Sequence, residues 1–258
     1  VMIPYIPEPA IRVGSRSLSP FAITAVAAVL TSLWGILRRS HKLGVSVEEM
    51  FRLWFFMYIG AMVGAHLYKV LVDDNAHSTL DFATLLRYHG LSSAGAFSGG
   101  LCAGLIWCGY KRLSAIEILR RVDIAAFVIP LAFMIGRLGC ALTHDHIGRA
   151  SSSWLAVDFP TGPSFDLGLI EFLFLAGVAI LFYLLDLRPR PAGFYLGSFG
   201  ILYGAFRLWL NALRTEPEYV YGMASVVTGI CICVVIGLRS QPSRDGKASR
   251  ASVTSHRP

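Results

Sequence analysis

The chain has 258 residues, of which 55% are hydrophobic and 15% are charged, and its formal net charge is +7. A mean hydropathy of +0.59 excludes an ordinary soluble domain, whose surface needs far more charge. The positive charge does not indicate nucleic-acid binding either, because the Lys and Arg residues lie mainly in loops between apolar segments.

Seven apolar stretches are each long enough, at ~20 residues, to cross a bilayer as a helix. They predict an all-α integral membrane protein with one transmembrane domain over residues 1–238 and a disordered basic tail over residues 239–258. The five cysteines lie in these stretches without metal-ligand spacing, so they are interpreted as small packing residues. The predicted spans are residues 18–37, 53–72, 91–110, 122–143, 165–187, 194–213 and 219–238.

The distribution of Lys and Arg predicts the orientation of the chain in the membrane. The loops after spans one, three and five and the C-terminal tail hold 15 of the 23 basic residues, whereas the opposite side holds 5. Because basic loops stay in the cytoplasm, the N-terminus is predicted outside and the C-terminus inside.

Several charged residues within the spans are predicted at the same depth, near the outer surface. Arg137 lies in the outer third of span four, Arg207 lies at a similar level in span six, and Glu171 lies in the first turns of span five. An arginine at the bilayer centre costs about 2.5–3.5 kcal/mol, so two on separate spans predict an anionic partner. Either they form a pocket for an anionic lipid headgroup, or they pair structurally with Glu171 or with lipid phosphates.

Span six carries further polar residues at helical spacing, which predicts one polar stripe facing protein or water. The stripe consists of Tyr203, Arg207, Asn211 and Arg214. Glycines four residues apart are predicted to be sites of close helix packing rather than ligand contacts. Examples are Gly60 and Gly64, and Gly95 and Gly99.

The triplet His144-Asp145-His146 follows span four and allows three interpretations. A metal site is disfavoured because no third strong ligand is evident nearby, so no metal is predicted. A histidine pair beside a carboxylate suits proton transfer near neutral pH. The third interpretation is a solvated loop with incidental histidines.

Four segments together resemble the bacterial phosphatidylglycerol–prolipoprotein diacylglyceryl transferases. Residues 136–149, GRLGCALTHDHIGR, are similar to the family's Gly-Arg-x-Gly-Asn-Phe-x-Asn-x-Glu-x-x-Gly-Arg motif, and residues 203–214, YGAFRLWLNALR, to its Tyr-Gly-x-x-Arg-x-x-x-Glu-Phe-x-Arg element. Residues 3–13 and 37–71 resemble the family's proline-rich lead-in and its first loop and second span.

The resemblance implies a reaction in which the diacylglyceryl group of phosphatidylglycerol moves to the thiol of a prolipoprotein lipobox cysteine. It implies a bacterial plasma (inner) membrane protein acting toward the outer leaflet, without cofactors and with these two substrates as its partners. By motif position, Arg137 and Arg207 match the essential-type arginines. Other positions implied to contact substrate are Tyr203, Arg214, Asp145, Gly148, Glu171 and Asn211.

The chain departs from the family pattern at several positions. Ala94 takes the place of the family's catalytic histidine, Cys140 and Thr143 replace two asparagines, and Asn211 replaces a glutamate. One hypothesis is that His144 or His146 has taken over proton removal and the reaction is kept. The alternatives are a noncatalytic relative that binds anionic phospholipid, or a transferase with another acceptor. An anion transporter is disfavoured, since broken helices and inverted halves are not visible in the sequence.

Overall fold

The computed structural model describes residues 2–9, 11–13, 16–72 and 92–215, together with residues 227, 229, 230 and 233. Six helices dominate the described residues, and six short strands accompany them. The helices are α1 (Pro20–Lys42), α2 (Val47–Val72), α3 (Ser93–Tyr110), α4 (Ala115–Thr143), α5 (Leu167–Leu185) and α6 (Phe194–Asn211). The strands are β1 (Ile3–Pro4), β2 (Ile11–Val13), β3 (Arg16–Leu18), β4 (Ile147–Ala150), β5 (Ala156–Phe159) and β6 (Gly162–Asp166).

Helices occupy the first six predicted spans. By length and composition, 4 helices among the described residues can cross a membrane: Pro20–Lys42, Val47–Tyr68, Ala115–Thr143 and Leu167–Leu185. This confirms a mostly helical, multi-pass membrane protein. The predicted seventh span lies almost wholly outside the described residues, and so does the predicted tail over residues 239–258.

Helix α1 shows the outward apolar face that a membrane helix needs. Val26, Leu30 and Trp34 are each more than half exposed, and their spacing of four residues places them along one side of the helix. Exposed apolar side chains in a row are unfavourable in water but suit contact with lipid chains.

The described contacts divide the chain into two compact units, and the first comprises residues 29–128. Its closest helix contact joins α2 and α3 through the predicted glycines. A Cβ atom at Gly64 would lie 2.4 Å from the carbonyl oxygen of Gly95, and one at Gly99 would lie 2.2 Å from that of Gly60. The backbones therefore touch directly, which confirms these glycines as close-packing sites.

The second unit comprises residues 1–28 and 129–258, and it contains a feature that the all-α prediction missed. Four of the strands form a small sheet in the order β1-β5-β6-β4. β5 and β6 are an antiparallel pair, while β1 runs parallel to β5 with Ile3 opposite Val157. Strands of two to five residues are too short for a period-2 pattern to identify them.

The same unit holds the ends of helices from which the candidate site is built. Buried apolar residues around the start of α5 and the end of α6 form its core: Phe165, Leu167, Ile170, Leu210 and Leu213. Helix α5 begins directly after β6, where the Asp166 carboxylate accepts the backbone N–H of Leu169 at 3.0 Å. This N-cap anchors the first turn of α5, and Glu171 lies directly after that turn.

Candidate active site

A buried carboxylate on α5 joins three polar side chains from two other helices. The Oε2 atom of Glu171 lies 3.1 Å from Nε of Arg137 on α4 and 3.5 Å from Nη1 of Arg207 on α6. The hydroxyl of Tyr203 donates a hydrogen bond of 2.7 Å to Oε1. The side chain of Glu171 is only 2% exposed. We call these four residues the Glu171 cluster.

The formal charges of the Glu171 cluster do not cancel. Two guanidinium groups share one carboxylate, so one positive charge is in excess. The side chains of Arg137 and Arg207 keep 14% and 16% of their surface accessible, so neither side chain is completely enclosed. A second anion would balance the cluster, and a guanidinium can bind a phosphate through two parallel N–H donors.

Aromatic rings enclose the Glu171 cluster and fix its orientation. The Arg137 guanidinium lies over the ring of Phe133, 5.0 Å from its centroid. The ring of Tyr203 packs against Phe133 at 5.7 Å and stacks on Phe199 at 5.2 Å. The rings reduce contact with water, which strengthens the ion pairs and holds the Tyr203 hydroxyl toward Glu171.

His144 follows the last residue of α4 and serves as an anchor in this structure. Its φ of 53° places it in the left-handed region, as is common directly after a helix end. Nδ1 lies 2.6 Å from Oδ2 of Asp166, and Nε2 lies 2.9 Å from the carbonyl oxygen of Ile6. Tyr5 and Phe159 pack on the same ring. His144 therefore ties the N-terminal segment to the start of α5.

Both ring nitrogens of His144 face acceptors, which favours the doubly protonated imidazolium. Burial lowers the pKa of His144, but the Ile6 carbonyl, the hydrogen bond to Asp166 and the charges of Asp166 and Asp145 raise it more. The net effect is a pKa above the ordinary value. An imidazolium held in this way cannot accept a further proton.

The two other members of the predicted triplet lie beside a cysteine. Sγ of Cys140, a carboxylate oxygen of Asp145 and a ring nitrogen of His146 lie within 4.8 Å of one another. Cys140 is buried, whereas Asp145 and His146 are exposed. We call these three residues the Cys140 cluster. Cys140 therefore lies near two members of the triplet, which the sequence analysis did not indicate, and the absence of a metal stays a prediction.

Arg137 connects the two clusters. Its Nη1 lies 3.8 Å from Sγ of Cys140, while its Nε lies 3.1 Å from Oε2 of Glu171. Partial burial and the charges of Arg137 and Arg214 lower the pKa of His146 despite the opposing effect of Asp145 and Glu171. The imidazole of His146 is thus neutral at neutral pH and offers a lone pair beside the cysteine sulfur.

Two further predicted site residues lie at the end of α6, and a third packs against it. Asn211 is the last residue of α6 and is fully buried, and Arg214 follows three residues later with its side chain partly exposed. Gly148 lies on β4, where a Cβ atom would be 2.6 Å from the carbonyl oxygen of Leu213. The N–H of Arg149 donates to the same carbonyl at 2.9 Å. Gly148 is therefore a site of close backbone approach.

The structure brings Arg137, Arg207, Tyr203 and Glu171 together, and it separates the roles of the two histidines. Sequence reasoning assigned Cys140 to apolar packing and did not foresee its contacts. The available signal was its spacing of three residues from Arg137, which places both side chains on one face of α4. The contact of His144 with Ile6 had no local signal, because 138 residues separate the two.

These observations define the class of the protein: it is a helical membrane protein in which a cluster with one excess positive charge, centred on a buried carboxylate, joins three helices. The chain matches the prolipoprotein diacylglyceryl transferase family over residues 8–239, and it belongs to that family.

Curated relatives cover most of the chain at modest identity. The phosphatidylglycerol–prolipoprotein diacylglyceryl transferase 1 of Clostridium perfringens is 24% identical over 260 residues, covering 92% of this chain and 97% of the relative. The phosphatidylglycerol–prolipoprotein diacylglyceryl transferase of Aliivibrio fischeri is 27% identical over 85% of this chain and 79% of its own. That of Actinobacillus pleuropneumoniae is 28% identical, covering 88% of each.

Proposed function

We propose that this protein transfers the diacylglyceryl group of phosphatidylglycerol to the thiol of a prolipoprotein cysteine. The observation that carries the proposal is the excess positive charge of the Glu171 cluster, in which Arg137 and Arg207 share one carboxylate. The names of the relatives supply the donor lipid and the acceptor, and the cluster supplies a place for the lipid phosphate.

Arg137 and Arg207 would act on the phosphate throughout the reaction. Their guanidinium groups bind the phosphodiester of the lipid and then stabilise the negative charge of glycerol phosphate as it leaves. Glu171 and Tyr203 hold the two arginines in position before the lipid arrives, so little reorganisation accompanies binding. Structural pairing with Glu171 and phosphate binding are thus compatible, because pairing uses only part of the cationic charge.

The acceptor thiol must lose its proton, because the thiolate is the nucleophile. The hypothesis that a histidine has taken over this task now favours His146, since His144 uses both ring nitrogens to hold Asp166 and Ile6. Arg137 contacts both clusters, since its Nη1 lies 3.8 Å from Sγ of Cys140 and its Nε lies 3.1 Å from Oε2 of Glu171. Phosphate and thiol would therefore be handled at neighbouring positions, with Arg137 between them.

We also propose that the chain crosses the plasma membrane of a bacterium seven times, with its N-terminus outside. The excess of Lys and Arg in the loops after spans one, three and five supports this orientation. It places the ends of α4 and α6 and the start of α5 at the outer leaflet, where a secreted prolipoprotein would present its cysteine.

The proposal is tested with purified full-length protein, phosphatidylglycerol labelled in its acyl chains and a lipobox peptide containing one cysteine. Label on the peptide thiol is expected with the unmodified protein. Arg137→Ala should reduce the rate by about 10²–10³-fold, as loss of one stabilising donor does. Arg188→Ala is the matched control, because Arg188 is exposed and follows the C-terminal end of α5, whereas Glu171 lies near the start of that helix.

Two results would contradict the proposal. Retained lipid binding with an unlabelled peptide would identify a noncatalytic relative that binds anionic phospholipid. Equal rates for Arg137→Ala and Arg188→Ala would show that the Glu171 cluster does not act on the phosphate.

A further comparison distinguishes the roles of the two histidines. His146→Ala should abolish transfer but not lipid binding, whereas His144→Ala should mainly expose the N-terminal segment to protease.

A further inference from the structure

The Cys140 cluster joins three different donor atoms at the end of one helix. Sulfur comes from the last turns of α4, and the carboxylate and imidazole come from the two residues that precede β4. The three donor atoms lie within 4.8 Å of one another. The family motif that residues 136–149 resemble has asparagine at the position of Cys140 and glutamate at that of Asp145.

Thiolate, imidazole and carboxylate are the three donor types that bind Zn²⁺ in proteins. With bonds of about 2.0–2.3 Å, two donors on a tetrahedral ion are roughly 3.5 Å apart. The present separations of up to 4.8 Å are slightly wider. Asp145 and His146 are exposed, so a change of side-chain rotamer can close this difference while the buried Cys140 stays in place.

The local charges also balance when an ion of charge +2 is bound. When they bind a metal ion, Cys140 is a thiolate and His146 a neutral imidazole, so that together with the Asp145 carboxylate the three ligands supply two negative charges. Arg137, which contacts the Cys140 sulfur at 3.8 Å, already has Glu171 as its counter-charge at 3.1 Å. A divalent cation held by these ligands therefore adds no net charge to the one positive charge that the Glu171 cluster already has in excess.

We propose that Cys140, Asp145 and His146 bind one Zn²⁺-class ion, and that its open fourth position takes the thiol of the acceptor cysteine. The inference rests on the proposed transferase function. Three protein ligands with one open position are typical of catalytic zinc sites, and a thiol bound to such an ion is deprotonated outright. The ion thus does the work of the base missing at Ala94, with His146 as its ligand.

The chemical step balances without any oxidant or reductant. On binding to the ion, the acceptor thiol releases its proton to solvent. The thiolate sulfur attacks the glyceryl carbon that carries the phosphate ester, so a C–S bond forms and the C–O bond breaks. The electron pair of the broken bond leaves on the phosphate oxygen, and glycerol phosphate departs next to Arg137 and Arg207.

Metal binding is tested first, with Zn²⁺ alone and the purified full-length protein stripped of metal by a chelator. Equilibrium dialysis should give one Zn²⁺ per chain. Cys140→Ser, Asp145→Asn and His146→Ala should each weaken binding by at least about tenfold. Cys108→Ser and Asp158→Asn are matched controls outside the cluster. Equal Zn²⁺ binding by the cluster variants and the controls would overturn the proposal.

Thiol binding is tested independently of turnover, on the unmodified protein loaded with Co²⁺. Adding the lipobox peptide should strengthen the near-ultraviolet sulfur-to-cobalt absorption band, and the same peptide with serine in place of cysteine should not. An unchanged spectrum with both peptides would mean that the acceptor does not reach the ion. Because this measurement uses no variant, a folding defect cannot account for its outcome.

Transfer measured with and without metal separates this inference from the function on which it rests. Loss of transfer on chelation, restored by Zn²⁺, supports both. Full transfer by the metal-free protein overturns the metal site and leaves the transferase intact, with His146 as a direct base. Zn²⁺ and thiol binding without any label on the peptide supports the metal site and overturns the transferase.

Discussion

The Glu171 cluster and the Cys140 cluster are neighbours, yet they are built in opposite ways. In the Glu171 cluster, one carboxylate that is 2% exposed organises two arginines and a tyrosine. In the Cys140 cluster, two of the three donors are exposed and lie on the residues that follow α4. Buried charges must be neutralised by each other, so the Glu171 cluster is held by its own ion pairs, whereas the exposed side chains of Asp145 and His146 have room to change rotamer around a ligand.

Arg137 is the residue that contacts both the Glu171 cluster and the Cys140 cluster. Its Nε faces Glu171 and its Nη1 faces the sulfur of Cys140. The Arg137 guanidinium thus contacts Glu171, which positions the arginines proposed to bind the phosphate. It also contacts Cys140, which belongs to the cluster proposed to bind the thiol. Variants that affect one cluster and spare the other are therefore the most informative.

The largest effect is expected from Glu171→Ala, which removes the central carboxylate of the Glu171 cluster. Two partly buried guanidinium groups would lose the buried carboxylate that they share, so unfolding free energy should fall by about 3–5 kcal/mol. Transfer should fall to background. Thermal unfolding and the labelled-lipid assay measure the two effects. Glu48→Ala, which breaks an exposed pair with Arg52, should cost at most about 1 kcal/mol. Equal stability of the two variants would show that Glu171 is not the organising group.

A smaller loss is expected from Arg137→Lys, which keeps the charge but removes the planar array of donors. Lysine cannot bind phosphate through two parallel N–H groups, so the rate of transfer should fall by about 10²-fold, while the protein stays folded. Steady-state rates at saturating lipid measure the change. A rate close to that of the unmodified protein would mean that only charge, and not geometry, matters at this position.

Tyr203→Phe tests how strongly the stability of the Glu171 cluster depends on one hydrogen bond. The ring can still stack on Phe199, but the hydroxyl that donates to Glu171 at 2.7 Å is lost. A hydrogen bond to a charged group contributes about 1.5–3 kcal/mol, so unfolding should occur at lower temperature and transfer should slow by roughly tenfold. Phe199→Leu, which removes the stacking partner alone, is the comparison; if it has the greater effect, the hydroxyl is unimportant.

Gly148→Ala is expected to disturb the Cys140 cluster more than the Glu171 cluster. The added Cβ atom would lie 2.6 Å from the backbone carbonyl of Leu213, so β4, which follows His146, must shift at a cost of about 1–3 kcal/mol. Transfer should fall several-fold while phosphatidylglycerol binding stays unchanged. Gly177→Ala has nothing within 4 Å of its added atom and should not destabilise the protein. Weakened lipid binding in Gly148→Ala would show that the clusters are not separable.

The helices and the charged residues within them could be predicted from the sequence, because they depend on local hydropathy and helical spacing. Helices occupy the first six predicted spans because long apolar stretches leave a helix as the only way to satisfy backbone groups in lipid. Arg137, Arg207 and Tyr203 could be selected because charges within apolar helices require partners and because Tyr203 and Arg207 are one turn apart. The family motifs pointed to the same residues.

Other parts of the site depend on contacts between distant segments or on turns, and only the tertiary structure shows them. The His144–Ile6 hydrogen bond and the pairing of β1 with β5 join segments that are far apart in sequence, and no local pattern encodes such a contact. Cys140 lies on an apolar helix like any packing residue, and only the turn after Thr143 brings Asp145 and His146 to its sulfur.

The sequence alone determined that the protein is a helical membrane protein with two arginines that need an anionic partner, because hydropathy and the cost of buried charge act locally. The tertiary structure alone decided that Glu171 holds both arginines, that His144 is an anchor, and that His146 lies beside Cys140. Those outcomes depend on which helix ends meet and how the chain turns between them, and side-chain spacing along one helix does not specify either.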